Sequence, residues 1–69
     1  MTHEEKLAEL AELFEVDSVT PETALDTLHW DSMAMLSVIA LLKAKFDRRV
    51  TGTEVRSMET IQDILTMMQ

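Results

Sequence analysis

Within the stretch His29-Trp30-Asp31-Ser32 an imidazole, a carboxylate and a hydroxyl stand side by side, just ahead of the apolar run MAMLSVIALL. Three kinds of chemistry use that set. In a hydrolase the hydroxyl attacks, the imidazole takes its proton and the carboxylate orients the imidazole. Neighbours one to three apart in a loop and a helix start do not align in those roles, and so short a chain leaves no room for a walled pocket. In the second reading Ser32 and Asp31 are only cap residues, the types preferred where a helix begins. In the third the Ser32 hydroxyl is a point of modification. A phosphate attached there lies beside unpaired amides and the positive end of the helix dipole, a favourable place for an anion. The local pattern leaves capping and modification both open.

Helical periodicity positions these residues. Met35, Val38, Ile39, Leu42 and Phe46 share one arc of about 100°, which predicts a helix from about Ser32 to Phe46 with that arc toward the core. Met33, Leu36, Ser37, Ala40, Lys43 and Ala44 fall on the opposite side. Thr2 and Glu5 have capping-box spacing, and Leu7, Leu10, Leu13 and Phe14 follow on one face, which predicts a first helix from Thr2. Residues 15–30 read as a long connection. Within it Thr20-Pro21-Glu22 resembles a helix start, good for one turn, and Leu25, Leu28 and Trp30 are expected to anchor the loop to the core. Thr51 and Glu54, again at capping-box spacing, predict a short third helix near Thr53–Ser57. Ile61, Ile64, Leu65 and Met68 predict a last helix over about Thr60–Met68. The expected fold is all-α, a small four-helix bundle of three principal helices and a short third one, as a single domain over residues 1–69.

Composition narrows the function. A core built from 69 residues rarely supplies more than about 3–5 kcal/mol. There is no cysteine, so neither a disulfide nor a thiolate metal site, and two histidines make a zinc site improbable. The longest apolar run has ten residues, whereas a membrane span needs about 20. The acidic, amphipathic N-terminus is unlike a targeting peptide, so a cytoplasmic protein is expected. Residues 1–31 carry nine acids and one base, a net of −8, while residues 32–69 carry four acids and five bases, a net of +1. That balance repels nucleic-acid phosphates and attracts basic protein surfaces, although it also serves plain solubility.

The stretch LHWDSMAMLSVIALLKAKFDRRV resembles the acyl carrier protein family. Its members carry Leu-Gly-x-Asp-Ser-Leu/Met at the start of the second helix, and their serine bears 4′-phosphopantetheine. Leu28, Asp31, Ser32 and Met33 match, and Trp30 is common at the variable position in carriers of secondary metabolism. Phe46-Asp47 matches the end of the helix, Val50 the buried residue after it, and Ile61-Gln62 the start of the last helix. The likeness covers roughly residues 16–68. Two features depart from the family. His29 stands where glycine is usual, a position whose backbone angle other residues adopt with strain. The glutamates that line the second helix of many members are missing.

The resemblance implies a non-catalytic carrier. Covalent 4′-phosphopantetheine on Ser32, with Asp31 and His29 beside it, supplies a thiol that the chain lacks. Acyl or aminoacyl groups then ride as thioesters between enzymes, a device that raises effective concentration. Implied partners are a phosphopantetheinyl transferase, an acyl- or aminoacyl-activating ligase or acyltransferase, and ketosynthase-type or other biosynthetic enzymes. Fatty acid, polyketide, amino acid and sugar-modifying pathways all use such domains. A carrier visiting several enzymes is expected to be monomeric. His29 either contacts the phosphate or is a solvated or packed side chain. The partner-reading surface is expected to comprise Trp30, Met33, Leu36, Ala40 and Lys43, with Arg56 adding positive charge or merely solvated. Methionine suits a surface reused by several partners because it repacks easily. A small helical interaction module without a prosthetic group is the rival expectation.

Overall fold

A computed structural model describes residues 2–69; Met1, where the expected single domain begins, lies outside them. The described residues form four helices: α1 (His3–Leu13), α2 (Ser32–Phe46), α3 (Gly52–Arg56) and α4 (Ile61–Met67), with a 3₁₀ turn at Leu25–Thr27 in the long connection. No β-strand forms among them; a lone antiparallel bridge joins Ala24 to Thr60.

Local chemistry sets the helix ends. The Thr2 side chain accepts the Glu5 N–H while the Glu5 carboxylate accepts the Thr2 N–H, each at 3.1 Å, so two of the free amides at the start of α1 are satisfied. The same reciprocal box joins Thr51 and Glu54 and starts α3 at Gly52, one residue earlier than the spacing predicts. α1 stops in a Schellman turn. The Val16 N–H donates to the Ala11 carbonyl and the Glu15 N–H to that of Glu12, with Glu15 in the left-handed region at φ 59°. α2 stops at Asp47, also left-handed at φ 52°.

One apolar core joins the elements. Leu10, Leu25, Val38, Leu42, Val55, Ile61, Ile64 and Met68 are sealed from solvent, with one or more from every helix. Lys45 bonds Glu9 at 2.6 Å where the end of α2 meets α1, and the Lys6 ammonium lies 5.9 Å from the centre of the Phe46 ring. No polar or charged residue is buried among the described residues, so whatever chemistry the chain performs happens at its surface.

The long connection differs from the expectation. Thr20-Pro21-Glu22 starts no helix. Thr20 and Thr23 close a turn, with the Thr23 N–H on the Thr20 carbonyl at 3.0 Å and the Thr20 N–H on the Thr23 hydroxyl at 2.9 Å. The turn aims its carbonyls at the start of α4, where Thr23 accepts the Ile61 N–H and Pro21 the Gln62 N–H. The Leu25 N–H returns a bond to the Glu59 carbonyl at 2.8 Å. The connection is thus a strap that satisfies two of the free amides of α4, those of Ile61 and Gln62. Val19, unanticipated by periodicity, is buried with Leu25, while Leu28 and Trp30 are half-buried against the core.

Candidate functional site

Asp31 is the N-cap of α2. Its carboxylate accepts the Ala34 N–H at 2.9 Å, and its extended backbone (φ −108°, ψ −176°) delivers Ser32 as the first helical residue. Ser32 is exposed, as are Asp31 and His29. The Asp31 carboxylate is occupied by its cap bond, and no hydrogen bond links His29, Asp31 and Ser32 among the described residues. The relay that a hydrolytic triad requires is not formed.

His29 corrects one expectation. Positive φ among the described non-glycine residues is confined to Glu15 and Asp47. The backbone at His29 therefore carries none of the left-handed strain that loss of a glycine there implied. The bend into α2 is made instead by the 3₁₀ turn and by the Trp30 N–H, which donates to the Leu28 carbonyl at 2.8 Å.

Two grooves flank the N-terminal half of α2. The first, about 330 Å³, lies toward the end of α1 and contains His29, Asp31, Glu15, Phe14 and Ser37. The second, about 400 Å³, lies between α2 and α3 and contains Ser32, Met35, Leu36, Ile39, Gly52 and Arg56. Ser32 and His29 thus open into different grooves although only Trp30 and Asp31 separate them in sequence.

The outward side of α2 is exposed, which settles for Leu36 what its spacing leaves open between exposure and cover by the 15–30 loop or the short third helix. Met33 keeps 77% of its surface and Leu36 65%, and Ser37, Ala40, Lys43 and Ala44 are exposed with them. Neither the long connection nor α3 covers Met33 or Leu36. Trp30 is different: it is half-buried and its ring packs on Phe14 with centroids 5.9 Å apart. Only part of its indole is left for any partner. Arg56 is exposed at the end of α3, on the wall of the second groove.

Ser32 is exposed, so its hydroxyl is open to modification from solvent. The hydroxyl stands at the rim of an open groove, at the amide end of a helix, with apolar walls at hand. No cluster of three His, Cys, Asp or Glu side chains suited to a metal exists among the described residues. No helix of the described residues is long and apolar enough to cross a membrane. Against this geometry, no family model, no curated protein and no solved structure matches the chain.

Proposed function

We propose that the chain is an acyl-carrier-type protein whose Ser32 hydroxyl carries 4′-phosphopantetheine. The observation that carries the reading is the exposed Ser32 at the first position of α2, capped by Asp31, within the Asp31-Ser32-Met33 motif. Four helices of this order, a buried Val50 after α2 and a last helix starting at Ile61 are consistent with it. The arm supplies the thiol on which an acyl or aminoacyl group is carried.

Ser32 attacks through its oxygen. A bond forms from Oγ to the coenzyme A phosphorus nearest the pantetheine, the pyrophosphate bond breaks, and the adenosine bisphosphate half leaves. The hydroxyl proton goes to a base of the transferase, so the absence of a hydrogen-bonded base on Ser32 within this chain is no obstacle. Asp31 holds the first turn of α2 in register so that Oγ faces outward. Met33, Leu36 and Ala40, edged by Lys43, offer partner enzymes an apolar grip next to the arm.

Coexpression with a broad-specificity phosphopantetheinyl transferase, followed by intact mass, tests the reading. The expected result is a gain of one phosphopantetheine that Ser32→Ala abolishes. An unmodified mass, under conditions that load a control carrier, overturns it. The exposed Met33 and Leu36 also suit the rival reading, a helical interaction module without a prosthetic group. Failure to load favours that rival.

A further inference from the structure

The two grooves beside α2 differ in charge as well as in place. The groove on the α1 side holds the Glu15 and Asp31 carboxylates. The groove that Ser32 enters holds no carboxylate and one guanidinium, that of Arg56. Arg56 is folded back over the start of α3. Its Nε–H donates to the Gly52 carbonyl at a long 3.4 Å, and its Nη2 lies 3.7 Å from where a side chain on Gly52 would begin. Lys45–Glu9 is the one ion pair among the described residues, so no carboxylate engages Arg56. Of the five donors of a guanidinium, four remain without a hydrogen-bond partner among the described residues, in the groove that Ser32 also lines.

We infer that Arg56 is the positioning residue for the phosphodiester of an arm on Ser32. The planar guanidinium fork matches a phosphate in shape and charge. It holds the phosphate at the mouth of the α2–α3 groove and lays the arm along Met35, Leu36 and Ile39. The carboxylates of the opposite groove repel the same phosphate, so attraction and repulsion send the arm the same way. His29, which opens into the acidic groove, takes no part in holding it. This inference rests on the carrier reading and adds a direction and an anchor to it.

The test compares loaded wild type, Arg56→Gln and Arg56→Lys by NMR, after intact mass has verified loading and circular dichroism has verified folding. In the wild type, loading is expected to shift the Arg56 Nε–H resonance and the methyl signals of Met35, Leu36 and Ile39, and to leave those of Leu13 and Ala34 in place. Arg56→Gln is expected to move the phosphorus resonance and abolish the methyl shifts; Arg56→Lys restores part of both. Added salt is expected to reduce the wild-type shifts and leave those of Arg56→Gln unchanged. Loaded protein with identical phosphorus and methyl signals in wild type and Arg56→Gln overturns the inference, as do shifts centred on the Leu13 side. If Ser32 accepts no arm at all, the mass measurement reports it separately and the carrier reading fails together with its anchor.

Discussion

α1 and α2 pack on one another but divide their surfaces differently. α1 buries Leu10 and Ala11, half-buries Leu7 and Leu13, and turns Glu4, Glu5 and Glu12 to water. That is what a helix needs in order to fold against a core and stay soluble. α2 buries Val38 and Leu42 on one side and exposes Met33, Leu36, Ala40 and Ala44 on the other, with no charged residue before Lys43. The buried side suffices for folding. The second apolar side contributes nothing to the core and raises the hazard of association, and the proposed carrier reading gives it a use as the grip for partner enzymes.

The sharpest way to break this comparison is to truncate one leucine on each side of α2. Leu42 is sealed from solvent, and Leu42→Ala is expected to cost about 2–5 kcal/mol. That matches the whole of the ~3–5 kcal/mol a core this small provides, so the variant should be largely unfolded at room temperature by circular dichroism. Leu36→Ala removes a side chain that is 65% exposed and should stay within about 0.5 kcal/mol of wild type in a urea melt. Comparable losses in the two variants would mean that α2 has no free side.

A smaller effect belongs to the cap. α1 starts with a reciprocal box, whereas α2 has the single Asp31–Ala34 bond. Asp31→Ala should lose about 0.5–2 kcal/mol in the same melt. Asp31→Asn keeps an acceptor oxygen and should lose less. Because Ser32 depends on that first turn, Asp31→Ala should also slow loading by the transferase beyond what unfolding explains. Equal loading rates at a temperature where both proteins are folded would separate the cap from the presentation of Ser32.

The C-terminal ends of the two helices also contrast. Each closes on a left-handed residue, Glu15 for α1 and Asp47 for α2. Asp tolerates that region better than Glu. Left-handed backbone costs a side-chain-bearing residue about 1–2 kcal/mol, and glycine gives back about 0.5–1 kcal/mol of that in unfolded-state entropy. Glu15→Gly is therefore expected to raise the melting temperature by a few degrees, and Asp47→Gly by less. A lower melting temperature in Glu15→Gly would show that the Glu15 side chain stabilises its turn through contacts that offset the strain.

The helices were legible because their signals are local. Thr2 with Glu5, Asp31 before an apolar run and Thr51 with Glu54 each name a helix start within four residues, and α2 occupies the span its periodicity predicts. The exposure of Ser32 follows from its place in the first turn. The connection was less legible because its conformation is decided elsewhere. Thr20-Pro21 suits a turn as well as a helix start, and the free amides of Ile61 and Gln62, some forty residues on, select the turn. Val19 is a lone apolar residue between Ser18 and Thr20 with no period to mark it. The groove between α2 and α3 was hidden for a similar reason. A five-residue helix has too few turns for its pattern to fix which side of α2 it meets, so the side of Arg56 emerges only in three dimensions.

The smallest effect concerns acid. The Glu5 carboxyl is held below its usual 4.5, first by the Thr2 backbone N–H that it accepts and then by the Thr2 hydroxyl. A depressed native pKa means that the cap contribution is complete above the unfolded value and is lost as pH falls through the native one. Carbon-13 titration should find Glu5 below 4.5 in the wild type and closer to the ordinary carboxyl range in Thr2→Ala, which removes the hydroxyl and loosens the box. Fraying of the first turn of α1 should accompany the titration, seen as a lower protection factor at the Glu5 amide once its exchange rate is taken relative to the intrinsic rate at each pH. Glu5→Gln keeps an acceptor for the Thr2 N–H without a titrating group, so its first turn should lose that acid dependence. A first turn of α1 that frays with acid equally in wild type and Glu5→Gln would show that Glu5 is not the group that links it to pH.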